Sequence, residues 1–119
     1  MSERLYGKIV AMRIAINNIR RREFKKMVIR YEYVMKMLNM IKNMINSIFD
    51  ELYANKLEGY DVSNIESVMT VIRDTVNTFY DKWLSYKEYA VLSGEEITEL
   101  KNMLDYIYNL SLKIRVSSY

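Results

Sequence analysis

The sequence predicts an all-α protein: an elongated up-and-down bundle of four helices, or of three if the first two run on without a break. Three observations carry that prediction. The 119-residue chain has no proline and only three glycines, so few turns are obligatory and helices have room to run. Apolar residues recur at spacings of three and four along almost the whole chain, the period of an α-helix face. No useful stretch alternates polar with apolar, the mark of a half-buried strand. Half the residues are hydrophobic and 28% are charged, which suits a folded chain rather than a disordered one. The length suits a single domain over 1–119, with roughly two-thirds of the unfolded surface buried on folding.

The first predicted helix covers 3–20. Leu5, Ile9, Met12, Ile16 and Ile19 follow a 4-3-4-3 spacing. A second series, Met27, Tyr31, Val34, Leu38, Ile41, Ile45, Ile48 and Leu52, predicts a helix over 23–57. The step from Ile19 to Met27 is eight residues rather than seven, so the two stripes do not share a register. That slip favours a turn between Asn17 and Glu23 over one continuous helix. Gly59 in "KLEGYD" suits the left-handed position that ends a helix. Ser63 with Glu66 reads as a capping box opening a third helix over 64–91, striped by Ile65, Val68, Ile72, Val76, Phe79, Trp83, Tyr86 and Ala90. Ser93 with Glu96 repeats the box before a fourth helix over 94–115, striped by Ile97, Leu100, Leu104, Ile107, Ser111 or Leu110, and Ile114. A helix from 23 to 57 would be about 50 Å long, so either it protrudes or the whole bundle is elongated.

Composition removes several chemistries. There is no histidine and no cysteine. The commonest general base, the thiol nucleophile and the usual zinc, copper and haem ligands are therefore missing. No glycine-rich phosphate cradle is present. Asp74, Asp81 and Glu88 recur every seven residues, and Glu95, Glu96 and Glu99 open the last helix; solvated faces and a favourable helix N-terminus account for them. The expectation is a protein that is not an enzyme, with no metal and no cofactor. No apolar run is long enough to span a bilayer and no secretory leader is recognisable, which favours an intracellular, cytoplasmic protein. A basic first helix lying on an anionic membrane is the least favoured use.

Charge is unevenly spread. Residues 1–45 hold eleven Lys or Arg and three acids, whereas 46–119 hold seven against twelve. The densest basic stretch is "RRREFKKMVIR", with six cations and one acid. Arginine suits phosphate because its planar fork makes paired hydrogen bonds. The sequence therefore nominates Arg13, Arg20, Arg21, Arg22, Lys25, Lys26, Arg30, Tyr33 and Lys36 as a surface for DNA or RNA backbone, without strong sequence specificity. Arg22, Lys26, Tyr33 and Lys36 fall on the side away from Met27, Tyr31 and Val34, with Tyr33 available to stack on a base. The alternative is a structural or adaptor protein acting through a homodimer or another protein partner. Its surface is the wide apolar arc of the second helix, with Met35, Met37, Met40, Met44 and Phe49 beside the main stripe. That arc serves equally well to pack a central helix against its own chain.

Overall fold

A computed structural model describes residues 3–22, 24, 28–84 and 91–115. It contains four helices: α1 (Glu3–Arg20), α2 (Tyr31–Leu57), α3 (Ser63–Leu84) and α4 (Gly94–Ser111). Each packs on its sequence neighbours, and α1 closes the ring against α4. Lys8 near the start of α1 reaches Ser47 and Glu51 near the end of α2, and Arg13 reaches the end of α4, so α1 runs antiparallel to both. The result is an up-down-up-down bundle of 48 × 26 × 17 Å. The 27 residues of α2 span about 40 Å, so the long helix lies within the bundle and does not protrude.

The core follows the sequence stripes. Leu5, Ile9, Met12, Ile16 and Ile19 are buried on α1, and Val34, Leu38, Ile41, Ile45, Ile48 and Leu52 on α2. On α3 the line runs Ile65, Met69, Ile72, Val76 and Trp83. On α4 it runs Leu100, Met103, Leu104, Ile107 and Ser111, and of the two candidates near the end Ser111 is the one buried.

The first two helices are separate, and the boundary lies later than the periodicity suggests. α2 begins at Tyr31, not at 23. Phe24 and Ile29 are both buried, at 1% and 2% exposure. Five residues apart, they would stand about 140° apart on a helix, so one helix cannot turn both inward. The chain leaves α1 after Arg20 and folds both side chains over the end of the bundle. There it meets the α3–α4 connection. Leu92 N–H donates to Ile29 O at 2.9 Å, and Arg30 and Val91 form an isolated antiparallel bridge. Val91 is thus outside α3, and 85–90 lie outside the described residues. Beneath this lid Trp83 is buried between Tyr31, stacked at 5.7 Å, and Phe79 at 4.7 Å. At the last helix, α4 stops at Ser111 rather than 115, and turns bring Ile114 back into the core.

The caps show how local chemistry sets these ends. Gly59 takes φ +90°, and its N–H donates to Lys56 O while Tyr60 N–H donates to Asn55 O. This is the paired hydrogen-bond pattern of a Schellman motif, which needs a residue free to adopt the left-handed conformation. The capping box at Ser93 and Glu96 forms in both directions. The one expected at Ser63 does not. Ser63 sits inside α3, its hydroxyl and N–H both donate to Asp61, and Glu66 pairs with Lys56 at 2.9 Å.

Candidate nucleic-acid interface

The nine nominated residues divide into three groups. Arg13 and Arg20 are committed within the fold. Arg13 is half-buried and projects from α1 across to the end of α4, where Nε and Nη2 donate to Ser111 O at 3.0 and 2.6 Å and Nη2 also donates to Ile114 O. The last turn of α4 has no basic residue of its own. Arg13 supplies from a neighbouring helix the cation that the negative helix end favours. Burial pulls its guanidinium below the ordinary arginine value, and nearby Tyr108 opposes that shift. Arg20 lies over the Tyr108 ring at 4.2 Å, with Nη1 3.4 Å from Asp105 and Nη2 donating to Asn17 at 2.8 Å. Both guanidiniums are engaged within the fold, so a phosphate would compete with these contacts.

Lys25 and Lys26 lie outside the described residues. The third group is brought together. Arg21, Arg22 and Arg30 are exposed on the α1–α2 connection, and Lys36 is exposed one turn beyond Tyr33 on α2. The Arg22 guanidinium sits 5.7 Å from the centre of the Tyr33 ring, which is 37% exposed. Among the described residues none of these four cations forms an ion pair. Phe24, just after Arg21 and Arg22, is buried in the core, and Arg30 is held by its bridge to Val91. The same end exposes Val28 and Val91 beside that bridge, which the periodicity misses because it places Val28 on a helix.

The apolar arc of α2 is mostly consumed within the chain. Met37 is buried at 7% exposure. Met35 and Phe49 pack against the core, and Arg73 of α3 lies 4.8 Å over the Phe49 ring. Lys42 likewise covers Tyr80 of α3 at 3.9 Å. Of Met35, Met37, Met40, Met44 and Phe49, only Met40 remains exposed, with half-buried Met44 beside it in a shallow groove also lined by Lys36, Asn39, Asn43 and Ser47. Met35, Met37 and Phe49 therefore pack within or against the chain's own core.

Among the described residues the carboxylates do not build a centre, and Glu88 lies outside them. Glu96 is spent on the capping box, Glu99 pairs with Lys82 at 2.9 Å, and Asp74 and Asp81 are exposed. Among the described residues no three potential metal ligands converge, and no helix is long and apolar enough to cross a membrane. Comparison with protein-family models, curated proteins and solved structures finds no match to this chain.

Proposed function

We propose that this is a non-catalytic protein that associates with nucleic-acid backbone inside the cell, through the end of the bundle where α1 passes to α2. The observation that carries this reading is the exposure of Arg21, Arg22, Arg30 and Lys36 at one end of the bundle, with Arg22 5.7 Å from the partly exposed Tyr33 ring. Exposed cations held on an anchored connection lose little further freedom when they meet phosphate. The reading narrows the sequence-based surface by excluding Arg13 and Arg20. It involves no base-edge recognition, so affinity follows charge rather than sequence.

Fluorescence anisotropy with labelled duplex and single-stranded DNA and RNA tests it. Four phosphate contacts give a log–log salt slope of about −3.6 on a duplex, a loss of about 150-fold between ~50 and ~200 mM salt. On a single strand the same contacts lose about 50-fold over that range. Replacing Arg22, Arg30 and Lys36 by glutamine flattens the slope by about 0.9 per contact on a duplex. Tyr33→Ala weakens single-strand binding preferentially, since stacking on a base contributes about 1–3 kcal/mol. Absence of binding at the lower salt refutes the proposal, as does binding whose slope ignores the three glutamines.

A further inference from the structure

The outward face of α1 carries a pattern that the bundle itself does not use. Glu3, Gly7, Val10, Ile14, Asn17 and Arg21 follow a 4-3-4-3-4 spacing, the repeat of a coiled-coil seam. Arg21 keeps the register, because its N–H donates to Asn17 O at 3.0 Å in helical fashion. This line lies opposite the core stripe of Leu5, Ile9, Met12, Ile16 and Ile19. Val10 is 38% and Ile14 56% exposed. The two charges in the middle of α1 are both drawn off this face. Lys8 is held by Glu51 at 3.2 Å, and Arg13 by the carbonyls that end α4. An uncharged strip is left between the exposed ends at Glu3 and Arg21. Gly7 adds to the case, since a Cβ built there meets nothing within 4 Å. No neighbour in the chain requires a glycine, although glycine inside a helix costs about 1 kcal/mol relative to alanine.

The order of residues along the strip identifies what it fits. Positions 3 and 21, 7 and 17, and 10 and 14 are each equidistant from residue 12. Laid antiparallel on a second α1 about a two-fold axis near Met12, Val10 meets Ile14, Gly7 meets Asn17, and Glu3 meets Arg21. The large side chains thus face each other at the centre, the small glycine faces the amide, and opposite charges close both ends. Such a surface is complementary to itself, as a closed two-fold contact demands. A parallel pairing would instead set Glu3 on Glu3 and Arg21 on Arg21. We infer that the protein forms an antiparallel homodimer through the outward face of α1, and not through the methionines of α2. A seam of 18 helical residues is short, so the dimer belongs to the small, weak class of interfaces.

Sedimentation equilibrium on the full chain, over protein concentrations from about 5 to about 500 μM, reads the dimer directly. Ile14→Lys puts two like charges at the centre of the seam and raises the dissociation constant by about tenfold or more. Because Ile14 is more than half exposed, the thermal unfolding of this variant matches that of the natural chain. Glu3→Arg and Arg21→Glu each weaken the dimer, and the double exchange restores it. Register is tested with cysteine, which the chain lacks. Mixed Val10→Cys and Ile14→Cys chains oxidise to the mixed disulfide in preference to either homodimer, because only 10 opposite 14 brings the Cβ atoms within about 4 Å. A monomer throughout the concentration range overturns the inference. So does a dimer indifferent to Ile14→Lys, or cross-linking that favours 10 with 10 and 14 with 14.

Discussion

Arg13 gives the sharpest test of how this bundle is held. Removing its guanidinium as Arg13→Met keeps most of the aliphatic stem and deletes the hydrogen bonds to Ser111 O and Ile114 O. A hydrogen bond involving a charged group contributes about 1.5–3 kcal/mol, and a cation at a helix C-terminus about 0.3–1 kcal/mol. The site is only half-buried, so water re-solvates part of what the arginine releases. The loss is therefore nearer one good charge-assisted bond than three, about 2 kcal/mol. For a chain of this length that is a fall of about 8 °C in Tm. Arg13→Lys keeps the charge but not the fork, and recovers about half of the loss. Urea unfolding followed by circular dichroism measures all three proteins on one scale. An Arg13→Met variant within about 0.5 kcal/mol of the natural chain would refute the view that α1 caps α4 through this side chain.

Further outcomes follow from the same contacts. Gly59→Ala strains a left-handed backbone and costs about 1–2 kcal/mol in urea unfolding, with no change in nucleic-acid binding. Two hydrogen bonds from Ser63 hold the Asp61 carboxyl below its ordinary range, so the stability it contributes is present above the unfolded value and disappears as pH falls through the lower folded one. NMR titration of Asp61 in Ser63→Ala shows its midpoint rising towards the ordinary value as the hydroxyl donor is removed. Trp83→Ala leaves a cavity beneath the paired connections and costs about 3–5 kcal/mol. Within the arginine triplet, Arg20→Gln lowers Tm and leaves the salt slope unchanged, whereas Arg22→Gln does the reverse.

Most of the fold is legible in the sequence because helical periodicity is a direct statement of which side faces the core. The limits of α1 and the cap at Gly59 follow from local chemistry alone. The end of the bundle is another matter. Met27 and Tyr31 continue the α2 stripe, so periodicity carries the helix back to 23, and only the burial of both Phe24 and Ile29 shows that the chain has left it. Nothing local distinguishes an apolar residue on a helix face from one folded over a helix end. The failure at Ser63 has a similar cause: the pattern S-x-x-E occurs three times in the chain, and at Ser63 an aspartate two residues away, Asp61, takes the serine first. The candidate site is less legible still, because residue type announces a charge but not its partner. The contacts of Arg13 lie about a hundred residues away in the chain.

That distinction changes what the basic half of the chain means. Read along the sequence, its positive charge is spread from Arg4 to Lys42. In the folded bundle much of it is answered. Arg4 and Lys8 share Glu51, Arg13 holds the end of α4, Arg20 holds Asp105 and Tyr108, and Lys42 covers Tyr80. Among the described residues of the basic half, 1–45, the cations without such a partner are Arg21, Arg30 and Lys36, together with Arg22, whose only described contact is Tyr33. All four belong to one end of the molecule. The bundle thus converts a diffuse excess of charge into a localised one, and does so by assigning the more interior cations structural work. An anionic partner would meet a single charged end rather than a charged side. The outward strip of α1, stripped of the charges of Lys8 and Arg13 by the same assignments, is left free to meet a second copy. In an antiparallel pair the two copies of Arg21 would lie about 27 Å apart along the helix axis, nine residues to either side of the two-fold. With Arg21 facing Glu3 of the second copy, the two basic ends would engage one nucleic-acid strand at two places through Arg22, Arg30 and Lys36, with the second contact strengthened by the first.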